Sequence, residues 1–341
     1  MEKKKLLGMT LAELKSFVKE MGLPTFTAKQ LADWLYKKRV SSIAEMTNLS
    51  LANRSKLEAV CEVGLENPAR VQVSEDGTKK YLFKTNNSFV ETVYIPETER
   101  ATLCVSTQIG CKMNCLFCMT GKQGFSGNLT AADIINQMQA IPEYDKLTNV
   151  VFMGMGEPMD NVDSVLNVLD IMTSDYGYGW SPKRITVSTV GIIPGLKRFL
   201  AESDCHLAVS LHNPIAEERC SIMPIQKAYP IESVLEEIRK YDFIHQRRVS
   251  FEYTMFKGVN DRPIHVRALV RLLDGLECRI NLIRFHTVPG VPLEGCTTEE
   301  MERFRDDLIR HGILTTIRKS RGEDIFAACG LLSSKHAEEN N

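Results

Sequence analysis

A chain of 341 residues, 43% hydrophobic and 25% charged with a formal net charge of -1, has room for one large domain and a smaller appendage, and excludes a charge-driven disordered chain. It contains no run of 18 apolar residues, and Met1-Glu2-Lys3-Lys4-Lys5 carries no apolar leader, so a cytoplasmic protein that does not enter a membrane is expected. Ten cysteines over this length exclude a small disulfide scaffold.

Residues 9–60 read as short helices, with Leu11, Leu14, Phe17 and Val18 at helical spacing and Leu31, Trp34 and Leu35 on one face of the next segment. Residues 1–60 also hold 11 Lys/Arg against 6 Asp/Glu, including Lys37-Lys38-Arg39, a local basic surface in a neutral chain. Two strand-like runs follow, 80–83 and 89–95, separated by the turn residues Thr85-Asn86-Asn87. A small, mostly helical α+β module is therefore expected over 1–98.

From residue 100 the pattern alternates. Strands are predicted at 101–106, 148–153, 184–189, 206–210, 249–254, 278–285 and 313–318, with amphipathic helices at 130–140, 161–173, 231–241, 262–274 and 298–311. Such alternation implies parallel sheet with right-handed crossovers. Polar residues end almost every strand, which favours a partial (β/α) barrel of the TIM type, with its site at the C-terminal rim. This α/β core is expected over 99–332, followed by a polar tail, 333–341.

The densest chemistry lies in Cys111-Lys112-Met113-Asn114-Cys115-Leu116-Phe117-Cys118. Three thiols at C-x3-C-x2-C can hold three irons of a cubane cluster and leave the fourth open. Zinc is the alternative and would want a fourth ligand, for which His206 or His212 are candidates. The loop follows the first barrel strand, at the rim where chemistry is expected.

In this loop the sequence resembles the radical S-adenosylmethionine superfamily. Further runs narrow the resemblance to the RlmN family of RNA adenine-C2 methyltransferases. They are Val90-Glu91-Thr92-Val93-Tyr94-Ile95-Pro96, Ala101-Thr102-Leu103-Cys104-Val105-Ser106, Gly154-Met155-Gly156-Glu157-Pro158, Ser210-Leu211-His212 and Ala327-Ala328-Cys329-Gly330. The resemblance implies one 4Fe-4S cluster on Cys111, Cys115 and Cys118, two S-adenosylmethionines per turnover, and methylation of adenine C2 in 23S ribosomal RNA and in transfer RNA. By resemblance Cys329 carries the methyl group, Glu91 is the base and Cys104 is the resolving cysteine that ends the cycle with a disulfide. Without the resemblance, Cys104 and Cys329 read equally as packed thiols, and Glu91 as a solvent-facing residue of an alternating strand.

The resemblance assigns Gly156, Glu157, Ser188, Ser210, Leu211 and His212 to S-adenosylmethionine; for the serines a cap or turn role is the alternative. Related enzymes carry Asn in an aromatic-Asn-Pro run after the Asn-Leu-Ile strand. Here the chain reads Arg284-Phe285-His286-Thr287, and His286 still offers one donor and one acceptor. Met119 and Met153 suit soft packing around a cluster or simple core filling.

C2 of a stacked, paired adenine is inaccessible, so the substrate must be a loop adenine or an extruded one. Lys37, Lys38 and Arg39 are candidate phosphate contacts. A sister branch methylates C8 of the same ribosomal adenine with the same cluster and thiols; Pro158, where that branch carries Ala, favours C2. The class also implies a low-potential flavodoxin or ferredoxin as electron donor and a monomer as the working unit. The remaining alternatives are a non-catalytic iron-sulfur or zinc RNA-binding protein and a radical enzyme acting on a peptide or small molecule.

Overall fold

A computed structural model describes residues 3–85, 88–243 and 249–333. In chain order the elements begin with β1 (Lys4–Lys5), α1 (Leu11–Glu20), α2 (Thr27–Ala32), α3 (Leu51–Glu58) and β2 (Cys61–Glu62). Next come β3 (Arg70–Val73), β4 (Lys79–Thr85), β5 (Ser88–Pro96), β6 (Ala101–Cys104), β7 (Gln108–Gly110), α4 (Met119–Gln123), β8 (Phe125–Asn128) and α5 (Ala131–Gln139). The chain continues through β9 (Asn149–Phe152), α6 (Val162–Thr173), β10 (Ile185–Thr189), α7 (Ile193–Glu202), β11 (His206–Ser210), α8 (Ala216–Ile222) and α9 (Ile231–Ile238). It ends with β12 (Val249–Met255), α10 (Pro263–Leu272), β13 (Cys278–Arg284), α11 (Thr298–Arg310) and β14 (Leu314–Ile317).

The sheet order is β14-β13-β12-β11-β10-β9-β6-β5-β4-β3. The seven strands from β6 to β14 in that order pair in parallel, as strand-helix alternation requires, while β5, β4 and β3 run antiparallel along the β6 edge. The sheet has two edges, β14 and β3, so the barrel is partial. Apolar side chains such as Leu103, Val150, Val187, Leu207, Phe251 and Ile280 are buried along the parallel strands. Helices α1, α5 and α11 each start with a capping box, from Thr10, Thr130 and Thr297, a feature that stabilises a helix by about 1 kcal/mol.

Two strands assigned from sequence to the N-terminal module, β4 and β5, belong instead to the ten-stranded sheet. The sheet thus runs past the expected boundary at residue 98, and only the helical part with β1 and β2 stands apart from it. The physical reason is β5, whose backbone pairs on both sides, with β4 and with β6. The helical part docks on α5 by close approach: a Cβ at Gly8 would lie 2.2 Å from the Ala132 nitrogen. Asn136 and Gln139 of α5 hydrogen-bond the backbone of Glu66 and Leu35. The expected tail lies outside the described residues apart from Ser333.

Beyond β14 the chain turns back across the open side. Asp324 accepts from Ser74 Oγ at 2.5 Å and from the Glu75 nitrogen at 3.2 Å, and Asp76 accepts from the Gly322 nitrogen at 3.1 Å. These bonds pin the segment that carries Cys329 to the β3–β4 turn.

Candidate active site

The C-terminal ends of the parallel strands surround a cavity of about 160 Å³. Its lining includes Cys111, Cys115 and Cys118, together with Gly156, Glu157, Ser188, Ser210, His212 and Cys329. All three loop thiols, both predicted glycine-run residues and three of the later strand-end residues therefore share one space. Leu211 is fully buried beside it, its nitrogen donating to the Glu252 carbonyl.

The thiol loop owes its shape to local backbone. Asn114 adopts φ 48°, a left-handed conformation that Asn tolerates better than most residues. A Cβ at Gly121 would meet the Cys115 nitrogen at 3.1 Å. Phe117 anchors the loop from within, its ring 4.8 Å from His212 and 5.3 Å from Phe256. Burial pushes the Cys111 thiol up to about 12, and burial with neighbouring Cys118 and Cys111 raises Cys115 well above its ordinary value.

Those shifts bear on what the loop could hold. Cys111 and Cys115, which resist ionisation alone, are the kind of donor that metal cations turn into thiolates. Among the described residues no three His, Cys, Asp or Glu side chains converge closely enough to hold a single metal ion. Three soft thiol donors lining one cavity have the chemistry of an iron-sulfur site. Neither suggested fourth zinc ligand improves the zinc alternative: His206 sits at the start of β11, the end of the strand remote from the rim. His212 Nδ1 already accepts from the Thr254 nitrogen at 2.9 Å.

The glycine run is shaped by protein as much as by space for a ligand. Gly156 has φ 100°, and a Cβ there would lie 2.5 Å from Gln108 Cβ. Gly154 would press its Cβ to 2.7 Å from Ser106 Oγ and the Val105 carbonyl. Glu157 accepts from Thr189 Oγ1 at 2.5 Å, the Val190 nitrogen at 2.9 Å and the Met159 nitrogen at 3.0 Å. Burial still lifts its carboxyl to about 7 against those bonds. One acceptor site of four remains for a cationic ligand group.

Cys104 ends β6 and lines a smaller cavity that also touches Cys118, Met153, Arg318 and Cys329. Burial pushes its thiol up to about 12, Cys329 adding to the rise and Arg318 opposing it. Burial lowers the Arg318 guanidinium, but Cys329, Glu252 and Cys104 outweigh that and raise it. Arg318 reaches Glu252 Oε2 at 3.3 Å and the Met153 sulfur at 3.4 Å. The Cys329 segment is tied to the thiol loop directly. Met119 donates its N–H to the Gly330 carbonyl at 2.8 Å, and Thr120 its hydroxyl to the Leu332 carbonyl at 2.7 Å.

Glu91 is absent from the lining of these cavities. It is buried on β5, Oε1 3.0 Å from Lys80 Nζ and Oε2 accepting from the Ser333 nitrogen at 2.8 Å. His286 also stands apart: it faces a neighbouring cavity, Nε2 2.9 Å from Ser320 Oγ, while Ile283 and Phe285 of the same run reach the main one. Met153 lines the main cavity, whereas Met119 packs behind the loop.

Several organising residues escaped sequence reasoning. Arg219, fully buried, donates to the carbonyls of Val190, Ser210 and Leu211, fixing the ends of two rim strands. Asn260 Nδ2 donates to the carbonyls of His212 and Thr254. Arg219 looks like any helix-surface cation in sequence. Glu252 left a signal, since it interrupts an apolar strand as Glu91 does.

Comparison with known proteins agrees with this architecture. Residues 4–63 match the family model of the ribosomal RNA large subunit methyltransferase N-terminal domain, and residues 105–269 match the radical SAM superfamily. The chain is 61% identical to the probable dual-specificity RNA methyltransferase RlmN of Bacteroides thetaiotaomicron, covering 100% of this chain and 99% of that protein. It is 42% identical to the dual-specificity RNA methyltransferase RlmN of Syntrophus aciditrophicus, with 97% of each covered. The crystal structure of a radical SAM methyltransferase from Sphaerobacter thermophilus superimposes with a TM-score of 0.89 at 37% identity, over 97% of this chain and 99% of the other.

Proposed function

The chain belongs to the RlmN family of dual-specificity RNA methyltransferases, and we propose that it methylates C2 of an adenine in 23S ribosomal RNA and in transfer RNA. The observation that carries this reading is the pairing of Cys104 with Cys329 in one small cavity whose wall includes Cys118. A radical enzyme of another type has no need of two further thiols there.

A 4Fe-4S cluster on Cys111, Cys115 and Cys118, with S-adenosylmethionine on its open iron, would supply a radical able to take hydrogen from a methyl group. The chain's own residues do the rest. Gly156, Glu157, Ser188, Ser210 and His212 hold the cofactor, and His212 does so neutral, because burial with Arg219 pulls its ring down to about 3. Cys329 accepts a methyl group on its sulfur and presents it to the base. Glu91 takes the C2 proton once a bond to C2 has formed. The unpaired electron of the resulting adduct would pass back to a bound cluster. The Cys104 thiolate then attacks the Cys329 sulfur; the carbon–sulfur bond breaks, its electron pair leaves with the carbon, which takes up a proton to become the methyl group, and a Cys104–Cys329 disulfide remains.

Two features support these roles. Arg318 places positive charge beside both thiols, which favours the thiolate that the last step needs. The Ser333 nitrogen donates to Glu91 Oε2, and Ser333 follows Cys329 by four residues, so Glu91 is tied to the segment that carries Cys329. The electron comes from a low-potential flavodoxin or ferredoxin, and the working unit is a monomer.

Anaerobic reconstitution with iron and sulfide tests the reading. The protein is incubated with transfer RNA or ribosomal RNA fragments, S-adenosylmethionine and a reductant, and the digested nucleosides are weighed by mass spectrometry. 2-Methyladenosine is expected. 8-Methyladenosine would move the chain to the sister reaction, and the absence of any methylated adenosine would overturn the proposal.

A further inference from the structure

Cys329 lies on a span of chain with an anchor at each end. Downstream, the Gly330 and Leu332 carbonyls accept from Met119 and Thr120, and the Ser333 nitrogen donates to Glu91, so that anchor is built from the site itself. Upstream, the span is fastened to the β3–β4 turn, whose residues Ser74, Glu75 and Asp76 line none of the cavities around Cys329. Asp324 takes the Ser74 hydroxyl and the Glu75 N–H, one on each carboxylate oxygen. Asp76 Oδ2 takes the Gly322 N–H and lies 3.8 Å from Arg321 Nη1.

The groups that make this grip also shape the turn. Asp76 Oδ1 accepts from the Thr78 nitrogen at 2.9 Å, and Ser74 Oγ accepts from the Asp76 nitrogen at 3.3 Å. The approach is close: Gly322 has φ 62°, and a Cβ there would lie 2.9 Å from Thr78 Cγ2. The Ala327 N–H donates to the Gly322 carbonyl at 2.8 Å, which carries the hold to within two residues of Cys329. The same strands place the other reacting groups. Glu91 is on β5, which pairs with β4 and with β6, and Cys104 ends β6.

We propose that Ser74, Asp76 and Asp324 are positioning residues for Cys329, clamping its segment to the β3–β4 turn so that the thiol stays within reach of Cys104. The inference rests on the RNA-methylating reading above for its use, and adds what sets the Cys329 thiol in place. A segment held at both ends keeps its thiol at high effective concentration in one spot; released at one end, it spreads over many conformations.

The test is the equilibrium between the Cys104 and Cys329 thiols and their disulfide, in full-length protein reconstituted with iron and sulfide and held anaerobically in glutathione buffers. Glutathione disulfide is the oxidant, and each protein disulfide formed releases two glutathione thiols. Free thiols are then alkylated and the linked peptide is quantified by mass spectrometry. Ser74→Ala and Asp324→Ala should each lower the equilibrium constant several-fold. The double variant should lower it by less than the product of the two, because both changes remove one shared bond. Asp324→Asn keeps an acceptor and should recover part of the loss. Thr297→Ala, which removes the cap of α11 instead, should stay at the parental value. Asp324 is exposed, so its variants carry the test even where Ser74→Ala lowers stability. Parental constants in both clamp variants, an equal fall in Thr297→Ala, or no such disulfide in the parent at any glutathione ratio would overturn the inference. Methylation of RNA is scored separately. A parent that methylates adenine, with constants unchanged in the variants, defeats this inference alone. Lowered constants in a protein that methylates no adenine defeat the reaction and leave the clamp standing.

Discussion

Lys80 Nζ lies 3.0 Å from Glu91 Oε1 across the β4–β5 pair, and both side chains are withdrawn from solvent, 6% and 3% exposed. A buried ion pair costs about as much in lost hydration as it returns in attraction, so its value here is not stability. It sets a cation beside the carboxylate that the proposed reaction uses as its proton acceptor.

Breaking that pair from one side should be costly. Lys80→Met removes the cation beside buried Glu91 and should lower unfolding stability by about 3–5 kcal/mol. Adding Glu91→Gln should restore much of it without restoring methylation. Urea denaturation of the parent, both single variants and the double variant forms the cycle. Equal loss in Lys80→Met and in the double variant would show that the two charges are not coupled.

The thiols separate by the stage at which each variant stops. Cys104→Ala should accumulate a covalent protein–RNA adduct, visible as a shifted band on denaturing gels. Cys329→Ala should form no adduct and no product. Normal turnover by Cys104→Ala would remove that residue from the scheme.

Arg318 should govern how readily Cys104 ionises. Burial pushes the thiol up to about 12 while Arg318 opposes the rise, so Arg318→Gln should raise it further. Because the thiolate is the reactive form, alkylation of Cys104 at mildly basic pH should slow several-fold, read by mass spectrometry of the labelled peptide. An unchanged rate would assign Arg318 to Glu252 alone.

His212 should make the fold acid-sensitive. Its ring titrates near 6.5 when unfolded and is held down to about 3 when folded. Between those values the unfolded chain binds a proton that the folded chain refuses, so stability falls as pH is lowered through the window and is unaffected above it. At pH about 5.5 the loss on this account is about 1 kcal/mol relative to neutral pH. His212→Asn should abolish that component. Asn suits the φ of 56° at this position and can still accept from the Thr254 nitrogen. Urea midpoints at the two pH values check it, and an equal acid loss in the variant would refute the assignment.

The parallel strands and the thiol loop were legible because apolar runs ending in polar residues, and three cysteines in eight positions, are local patterns. β10 begins at Ile185 and β11 spans His206–Ser210, within a residue of the strands expected there. Helices α7 and α8 were missed: Ile193-Pro194-Gly195 opens the first with two residues that read as a loop, and the second is only seven residues long. Membership of β4 and β5 in the large sheet depends on a pairing partner, β6, that no local pattern announces. Arg219, Asn260 and Arg318 act through carbonyls and charges brought from distant segments, so their importance exists only in the folded chain. The basic run at Lys37-Lys38-Arg39 stood out by density, yet Lys38 and Arg39 are neutralised by neighbours the sequence does not reveal.

The pairing of β5 with β6 sets Val93 opposite Cys104, and Ser106 Oγ donates to the Glu91 carbonyl at 2.6 Å. One short connection, residues 97–100, therefore acts as a gauge for the two groups that the proposed reaction brings to one base. A single residue added or removed there would slide one strand along the other and turn alternate side chains over. Glu91 and Cys104 would then point to opposite faces, with every reacting residue still present in the chain. The length of that turn, which holds no reacting group, is as much a requirement of the chemistry as the thiols are.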